Sequence, residues 1–109
     1  MSQYLLIESR DSFEFGDVAY LHDLARGLAK EGHAVTLFLV QNGVLPARPS
    51  AQSERLTRLA RGGVEVLADD FSLKERGISA GSLADGVRAA PIERVVDLLA
   101  EGSTRAIWH

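Results

Sequence analysis

The stretch VAYLHDLARGLAKEGHAVTLFLV, residues 18–40, holds one complete helix and one complete strand. Asp17, just before it, can cap a helix start, and Gly32 can end that helix in a left-handed conformation. AVTLFLV, residues 34–40, is an unbroken apolar run, which indicates a strand buried on both faces. The apolar residues that recur at the spacing of one helix face are Val18, Leu21, Leu24, Ala25 and Leu28. The stretch therefore predicts a helix that packs on a sheet and returns the chain to a central strand.

The same alternation of strands and helices continues on both sides of this stretch. Upstream, YLLIE at residues 4–8 is a second apolar strand, so that a strand–helix–strand unit is complete. Downstream, a helical stripe at residues 56–60 is closed by Gly62 and followed by a third strand, VEVLA, at residues 64–68. NGVLPARPSAQS, residues 42–53, has the composition of a loop or linker.

The last third of the chain adds two weaker strands and one helix. GVRAA at residues 86–90 and RAIWH at residues 105–109 are the strands, and the helix between them opens at Pro91 and closes at Gly102. Short connections between alternating elements imply parallel strands with helices on both faces. We predict an α/β fold, a single-domain doubly wound sandwich of about five mainly parallel strands, in the flavodoxin-like size class.

Length and composition exclude several classes of protein. The 109 residues suit one domain, residues 1–109, and twelve basic against fifteen acidic residues give a net charge of −3, which disfavours nucleic acid as a partner. There is no apolar run of membrane-spanning length and no signal-peptide pattern, so we expect no membrane partner and a cytoplasmic location. The chain has no cysteine, which removes disulfides and thiol chemistry together.

Candidate ligand contacts are sought at the carboxyl ends of the strands, where open α/β sheets form their crevice. The segments there are SRDSFEFGD, QNGVLPARP and DDFSLKERG. None forms a glycine-rich phosphate cradle, and the first is acidic, which disfavours a flavin or nucleotide. The eight candidate crevice residues are Ser9, Arg10, Asp11, Gln41, Asn42, Asp69, Asp70 and Arg76.

The chemistry that these segments support is limited. Glu8, Asp11 and Asp69 could mimic a phospho-receiver site, but no lysine follows the last strand as such a site requires. His22 is predicted to be a partly exposed helix residue and His33 a turn residue, and the three histidines lack the spacing of metal ligands. We expect no cofactor, no metal and no catalytic residue.

Asp69 and Asp70 lie side by side at the end of the third strand. Adjacent side chains of an extended chain point to opposite sides, so the two carboxylates form a poor acid–base pair. Ser72, followed three residues later by Glu75, predicts a capping box at a helix start. We interpret the acidic pair as part of that turn.

Four segments cover nearly the whole chain: LLIESRD, AKEGHAVTLFLVQNGV, GVEVLADDFSLKERGI and LADGVRAAPIERVVDLLAEGSTRAIWH. In these segments the chain resembles the DsrE/DsrF-like family of sulfur-relay proteins. The resemblance implies a small cytoplasmic α/β protein that assembles into trimers or hexamers, often with related subunits. It also implies a persulfide-carrying cysteine seven positions before the arginine of an RG pair, and counting back from Arg76 gives Asp69.

Three functions are compatible with a member that has a carboxylate at that position. The first is a non-catalytic assembly or interaction subunit, which binds copies of itself or cysteine-bearing DsrE-like relatives. The second is a small-molecule binding protein that uses the crevice at the carboxyl ends of the strands. The third is an enzyme that uses Asp69 as a base, which only the position of that residue supports. We rank them in that order.

Overall fold

A computed structural model of the chain describes residues 2–11, 18–50 and 53–109. The elements alternate along the chain as the sequence predicts. The strands are β1 (Gln3–Glu8), β2 (Ala34–Leu39), β3 (Glu65–Asp69), β4 (Val87–Ala90) and β5 (Thr104–Trp108). The α-helices are α1 (Val18–Lys30), α2 (Glu54–Arg61), α3 (Asp70–Glu75) and α4 (Glu93–Ala100), and two 3-10 helices span Gln41–Ala47 and Ala80–Ser82.

The five strands form one parallel sheet in the order β4-β3-β2-β1-β5. Helices α1 and α2 pack on one face with Leu6, Leu37 and Val66 of the strands, while α4 covers the other face above Leu5 and Phe38. Successive residues of a strand point to opposite faces of the sheet, and here helices cover both faces. Nearly every residue of a central strand is therefore buried, which explains the unbroken apolar runs in β1 and β2. The predicted doubly wound α/β fold is therefore confirmed.

The first half of the segment predicted as a loop or linker, residues 42–47, instead belongs to a 3-10 helix, Gln41–Ala47, and residues 48–50 have no regular structure. The interpretation was wrong for the first half because Gly43, Val44, Pro46 and Ala47 are buried against the sheet end, where packing overrides a loop-like composition. Gly43 lies so close to the carbonyl oxygen of Glu8 that a β-carbon at this position would collide with it. The helix is thereby fixed against the carboxyl end of β1.

The glycines predicted to end helices have a left-handed conformation, except after α2, where the neighbouring glycine has it. Gly32 and Gly102 have φ values of +92° and +74°, in agreement with their predicted role. After α2 the left-handed residue is Gly63 (φ +98°), whereas Gly62 has φ −82°. Two adjacent glycines give the same sequence signal, so only the backbone distinguishes them.

The predicted cap of α1, Asp17, lies outside the described residues, as do the aromatic residues at positions 13 and 15.

Across residues 2–11, 18–50 and 53–109, no helix is both long enough and apolar enough to span a bilayer.

Candidate functional site

A cleft at the carboxyl ends of the strands forms the candidate site, and we call it the crevice. Its volume is about 280 Å³. The lining residues are Val40, Gln41, Asp69, Phe71, Ser72, Glu75, Ile92 and Trp108. They come from the ends of β2, β3 and β5, from α3 and from the start of α4, so the crevice lies where parallel α/β sheets place their ligands.

Asp69 is the capping residue of α3. Its side chain is 7% exposed, and its Oδ2 accepts hydrogen bonds from Ser72 N at 3.0 Å and from Ser72 Oγ at 2.7 Å. A carboxylate in this position satisfies a free amide of the first turn and faces the positive end of the helix. The predicted capping box of Ser72 and Glu75 is wrong by one turn, because Ser72 is the third residue of α3 and Asp69 caps it.

A polar network extends from Asp69 to three other candidate residues. Ser72 Oγ accepts a hydrogen bond from Gln41 N at 2.9 Å, where Gln41 has the unusual φ of +53°. Asn42 Oδ1 accepts from Arg76 Nε and Nη2, each at 3.1 Å, and Arg76 Nη1 donates to the Ser72 carbonyl at 3.2 Å. Four of the eight candidate residues thus belong to one connected group.

Ser9, Arg10 and Asp11 belong to a second group, at the end of β1. Ser9 donates from its amide and its hydroxyl to the carbonyl oxygen of His109, at 3.0 and 3.1 Å. The amide of Arg10 donates to Glu8 Oε2 at 3.0 Å, and Asp11 is buried. None of the three lines the crevice within the described part of the chain.

This second group contains a carboxylate–imidazole pair that sequence reasoning missed. Glu8 is 1% exposed, and its two carboxylate oxygens lie 2.8 and 2.9 Å from Nδ1 of His109. The parallel pairing of β1 with β5 brings these residues together from opposite ends of the chain. No short-range pattern could reveal a contact across 101 positions, so only the strand order exposes it.

Asp70 points away from the crevice. It is exposed and lines a separate cleft of about 450 Å³ with Phe71, Leu73, Lys74, Ile78 and Ala80. The interpretation that the two adjacent carboxylates diverge is confirmed. The geometry therefore offers no paired carboxylates for acid–base chemistry at the end of β3.

Histidine placement corrects one prediction. His22, predicted as partly exposed, is 2% exposed beneath α2, and neither ring nitrogen has a hydrogen-bond partner among the described residues. Burial, then the charge of Arg55, lowers the pKa of His22 to about 4. His33 is half-buried; its Nδ1 accepts from Ser2 N at 3.2 Å and its ring meets Tyr4 edge-on. Among the described residues, no group of three acidic or histidine side chains could hold a metal ion.

An exposed apolar surface borders the crevice. Helix α4 buries Val95 and Leu98 against the sheet but carries a second apolar stripe on its outer side. Trp108, 68% exposed on the edge strand β5, extends that stripe past the crevice. We call the following five residues the apolar surface: Phe71, Ile92, Val96, Leu99 and Trp108.

Comparison with solved structures shows that other proteins share this architecture. The YchN protein of E. coli superimposes with a TM-score of 0.89 over 100% of both chains, at 18% sequence identity. The protein of unknown function MTH1491 from Methanobacterium thermoautotrophicum gives a TM-score of 0.80 at 22% identity, over 97% of this chain and 96% of that one. No protein-family model and no curated protein matches the chain. At these identities the likeness concerns the fold.

Proposed function

We propose that this protein is a DsrE-like assembly subunit that lacks the sulfur-carrying cysteine of the family. The observation that carries the proposal is the apolar surface, in which Phe71, Ile92 and Trp108 line the crevice together and Val96 and Leu99 are exposed along α4. The fold is the one that the resemblance implies, and the residue at the position of the nucleophile serves as a helix cap. A subunit of this kind contributes contacts to a complex without touching sulfur.

The second stripe of α4 is the main support for assembly. A helix that packs on one sheet needs one apolar stripe, and the opposite side is normally polar. Here Ile92, Val96 and Leu99 follow each other at helical spacing on the side turned away from the core. Exposed apolar patches of this kind mark protein interaction sites, and tryptophan is enriched in them.

The partner that we propose is a second copy of the chain, in a closed trimer or hexamer. The edge strand β5 leaves one row of backbone groups unpaired within the described sheet, beside Trp108. Closed oligomers cover such edges and patches with surfaces of neighbouring copies, which avoids open-ended aggregation. Cysteine-bearing relatives of the same fold could occupy the same surface in a mixed complex.

A pair of matched variants tests the role of the apolar surface. Val96→Glu places a carboxylate in the middle of the stripe, at a residue that is 59% exposed and is not one of the buried core residues. We expect the variant to keep its helical circular dichroism and to elute as a monomer in size exclusion with light scattering. Tyr20→Glu makes the same kind of change at an exposed residue of α1 and should leave the assembly intact.

Two results would contradict this proposal. One is an assembled Val96→Glu protein with the same mass as the wild type. The other is dissociation of the Tyr20→Glu variant alone, which would place the interface on α1. Either result would show that the apolar surface is not the assembly interface.

A small-molecule binding protein is the second candidate function. The observation in its favour is the composition of the crevice, in which Phe71 and Trp108 provide apolar walls and Gln41 and Asp69 provide polar groups. Native mass spectrometry of the purified protein should then show an added small mass that disappears in Glu75→Lys, a change in the crevice wall. An enzyme that uses Asp69 as a base has weaker support, because two Ser72 donors already occupy Oδ2.

A further inference from the structure

A third cleft lies between α1 and α2, on the face of the sheet opposite α4. Its volume is about 200 Å³. The lining residues are His22, Asp23, Arg26, Arg55, Arg58 and Leu59. None of them lines the crevice, and none belongs to the apolar surface, so this cleft is independent of the proposed assembly.

Helical spacing explains why so many cationic side chains meet here. Arg26 follows His22 by four positions on α1, and Arg58 follows Arg55 by three positions on α2, so each pair shares one helix face. The two faces are opposed where the helices pack together. Three guanidinium groups against the single carboxylate of Asp23 leave the lining with an excess of two positive charges.

The arginines differ in how far they are neutralised. Arg26 Nη2 lies 3.4 Å from Asp23 Oδ1, and both side chains are mostly exposed, which makes a weak ion pair. Arg55 and Arg58 form no ion pair with any residue in the described ranges. Within those ranges no carboxylate competes for their guanidinium groups, and their planar donor arrays suit the oxygens of phosphate or sulfate.

His22 supplies a second and separate indication of a ligand. Buried polar atoms in folded proteins almost always have a hydrogen-bond partner, yet within residues 2–11, 18–50 and 53–109 both ring nitrogens of this buried imidazole lack one. Its pKa of about 4, lowered by burial and by Arg55, keeps the ring neutral at pH 7. A neutral imidazole has one N–H to donate, and an anion oxygen in the cleft would accept it.

We propose that the cleft between α1 and α2 binds a doubly charged tetrahedral oxyanion, either free or as a phosphate or sulfate group of a larger molecule. Arg55 and Arg58 hold the charge, and the His22 ring donates to one oxygen. Arg26, shared with Asp23, closes the side of the cleft.

Nuclear magnetic resonance of the histidine rings tests this proposal on the intact protein. The ring ¹H and ¹⁵N signals are followed during titration with inorganic phosphate, with sodium chloride adjusted to hold ionic strength constant. We expect a saturable shift at His22 and none at His33, which lies beyond the other end of α1. Parallel titrations with sulfate and with phenyl phosphate distinguish a free anion from an esterified phosphate group.

Variants on α2 provide the matched control. Arg55→Gln combined with Arg58→Gln should weaken phosphate binding about tenfold or more, because two charge-assisted contacts are lost. Arg61→Gln removes a cation of the same helix that pairs with Asp85 at 3.6 Å outside the cleft, and should bind phosphate as the wild type does. Three results would overturn the proposal: no saturable shift with any of the three anions, unchanged affinity in the double variant, or a shift at His109 alone.

Discussion

Replacing Asp69 with alanine separates a structural role of this carboxylate from a functional one. The change removes both hydrogen bonds that Oδ2 accepts from Ser72. Loss of a helix cap costs about 0.5–2 kcal/mol, and leaving the buried Ser72 hydroxyl without its acceptor adds about 1–3 kcal/mol. We therefore expect a decrease of about 1.5–5 kcal/mol in the free energy of unfolding of Asp69→Ala.

Three further variants refine the measurement by urea denaturation. Asp69→Asn keeps an acceptor oxygen and should cost about 1 kcal/mol, between wild type and alanine. Asp70→Ala, one residue on and exposed, should cost less than about 1 kcal/mol because it affects only the helix dipole. The double variant Asp69→Ala with Ser72→Ala should cost less than the sum of the single variants, since the two residues share their hydrogen bonds.

One outcome would refute the reasoning. A carboxylate that is held in the crevice for a ligand or a reaction usually destabilises the folded protein, so its removal raises the free energy of unfolding. An Asp69→Ala protein that is as stable as the wild type, or more stable, would therefore indicate a functional role for Asp69 and not a capping role.

The remaining predictions concern His22, Gly43 and sulfur transfer. Burial lowers the pKa of His22 to about 4 in the folded protein, so between pH 6.5 and 4 only the unfolded chain binds a proton at this ring. The free energy of unfolding is therefore unaffected by His22 above pH 6.5 and falls by about 3 kcal/mol as the pH decreases to 4. The variant His22→Phe should reduce this pH dependence in urea denaturation. Gly43→Ala should cost about 1–3 kcal/mol because its methyl group meets the Glu8 carbonyl, whereas Gly27→Ala, which meets nothing, should not destabilise the protein in the same assay. A persulfidated donor should transfer no labelled sulfur to this chain, which has no thiol, and labelled protein after gel filtration would contradict that expectation.

The sequence predicted the fold because its signals are local and repeated. The apolar runs of β1 and β2 leave no alternative to a sheet covered on both faces, and Gly32 ends α1 where the spacing of apolar residues stops. Two details needed the backbone: the left-handed residue after α2, which is Gly63 in place of Gly62, and the 3-10 helix Gln41–Ala47 within the segment predicted as a loop. The helices and strands are determined by the spacing of apolar residues and by the glycines at helix ends, and both signals can be read directly from the sequence.

The site was less accessible because its decisive contacts are not local. The sequence pattern placed the cap of α3 at Ser72, although Asp69, three residues earlier, is also a residue type that caps helices, and the structure assigns the cap to Asp69. The buried environment of His22 depends on the packing of α2 over α1, and the contact of Glu8 with His109 depends on the strand order. Neither can be read from one element alone.

The mass of the wild-type protein in solution tests the central claim most directly. Sedimentation equilibrium across micromolar concentrations measures it without assumptions about shape. If the apolar surface joins copies of the chain into a trimer or hexamer, the mass should be three or six times the 11.8 kDa of the chain and independent of dilution. A single species of 11.8 kDa throughout this range would contradict the account of the protein as an assembly subunit.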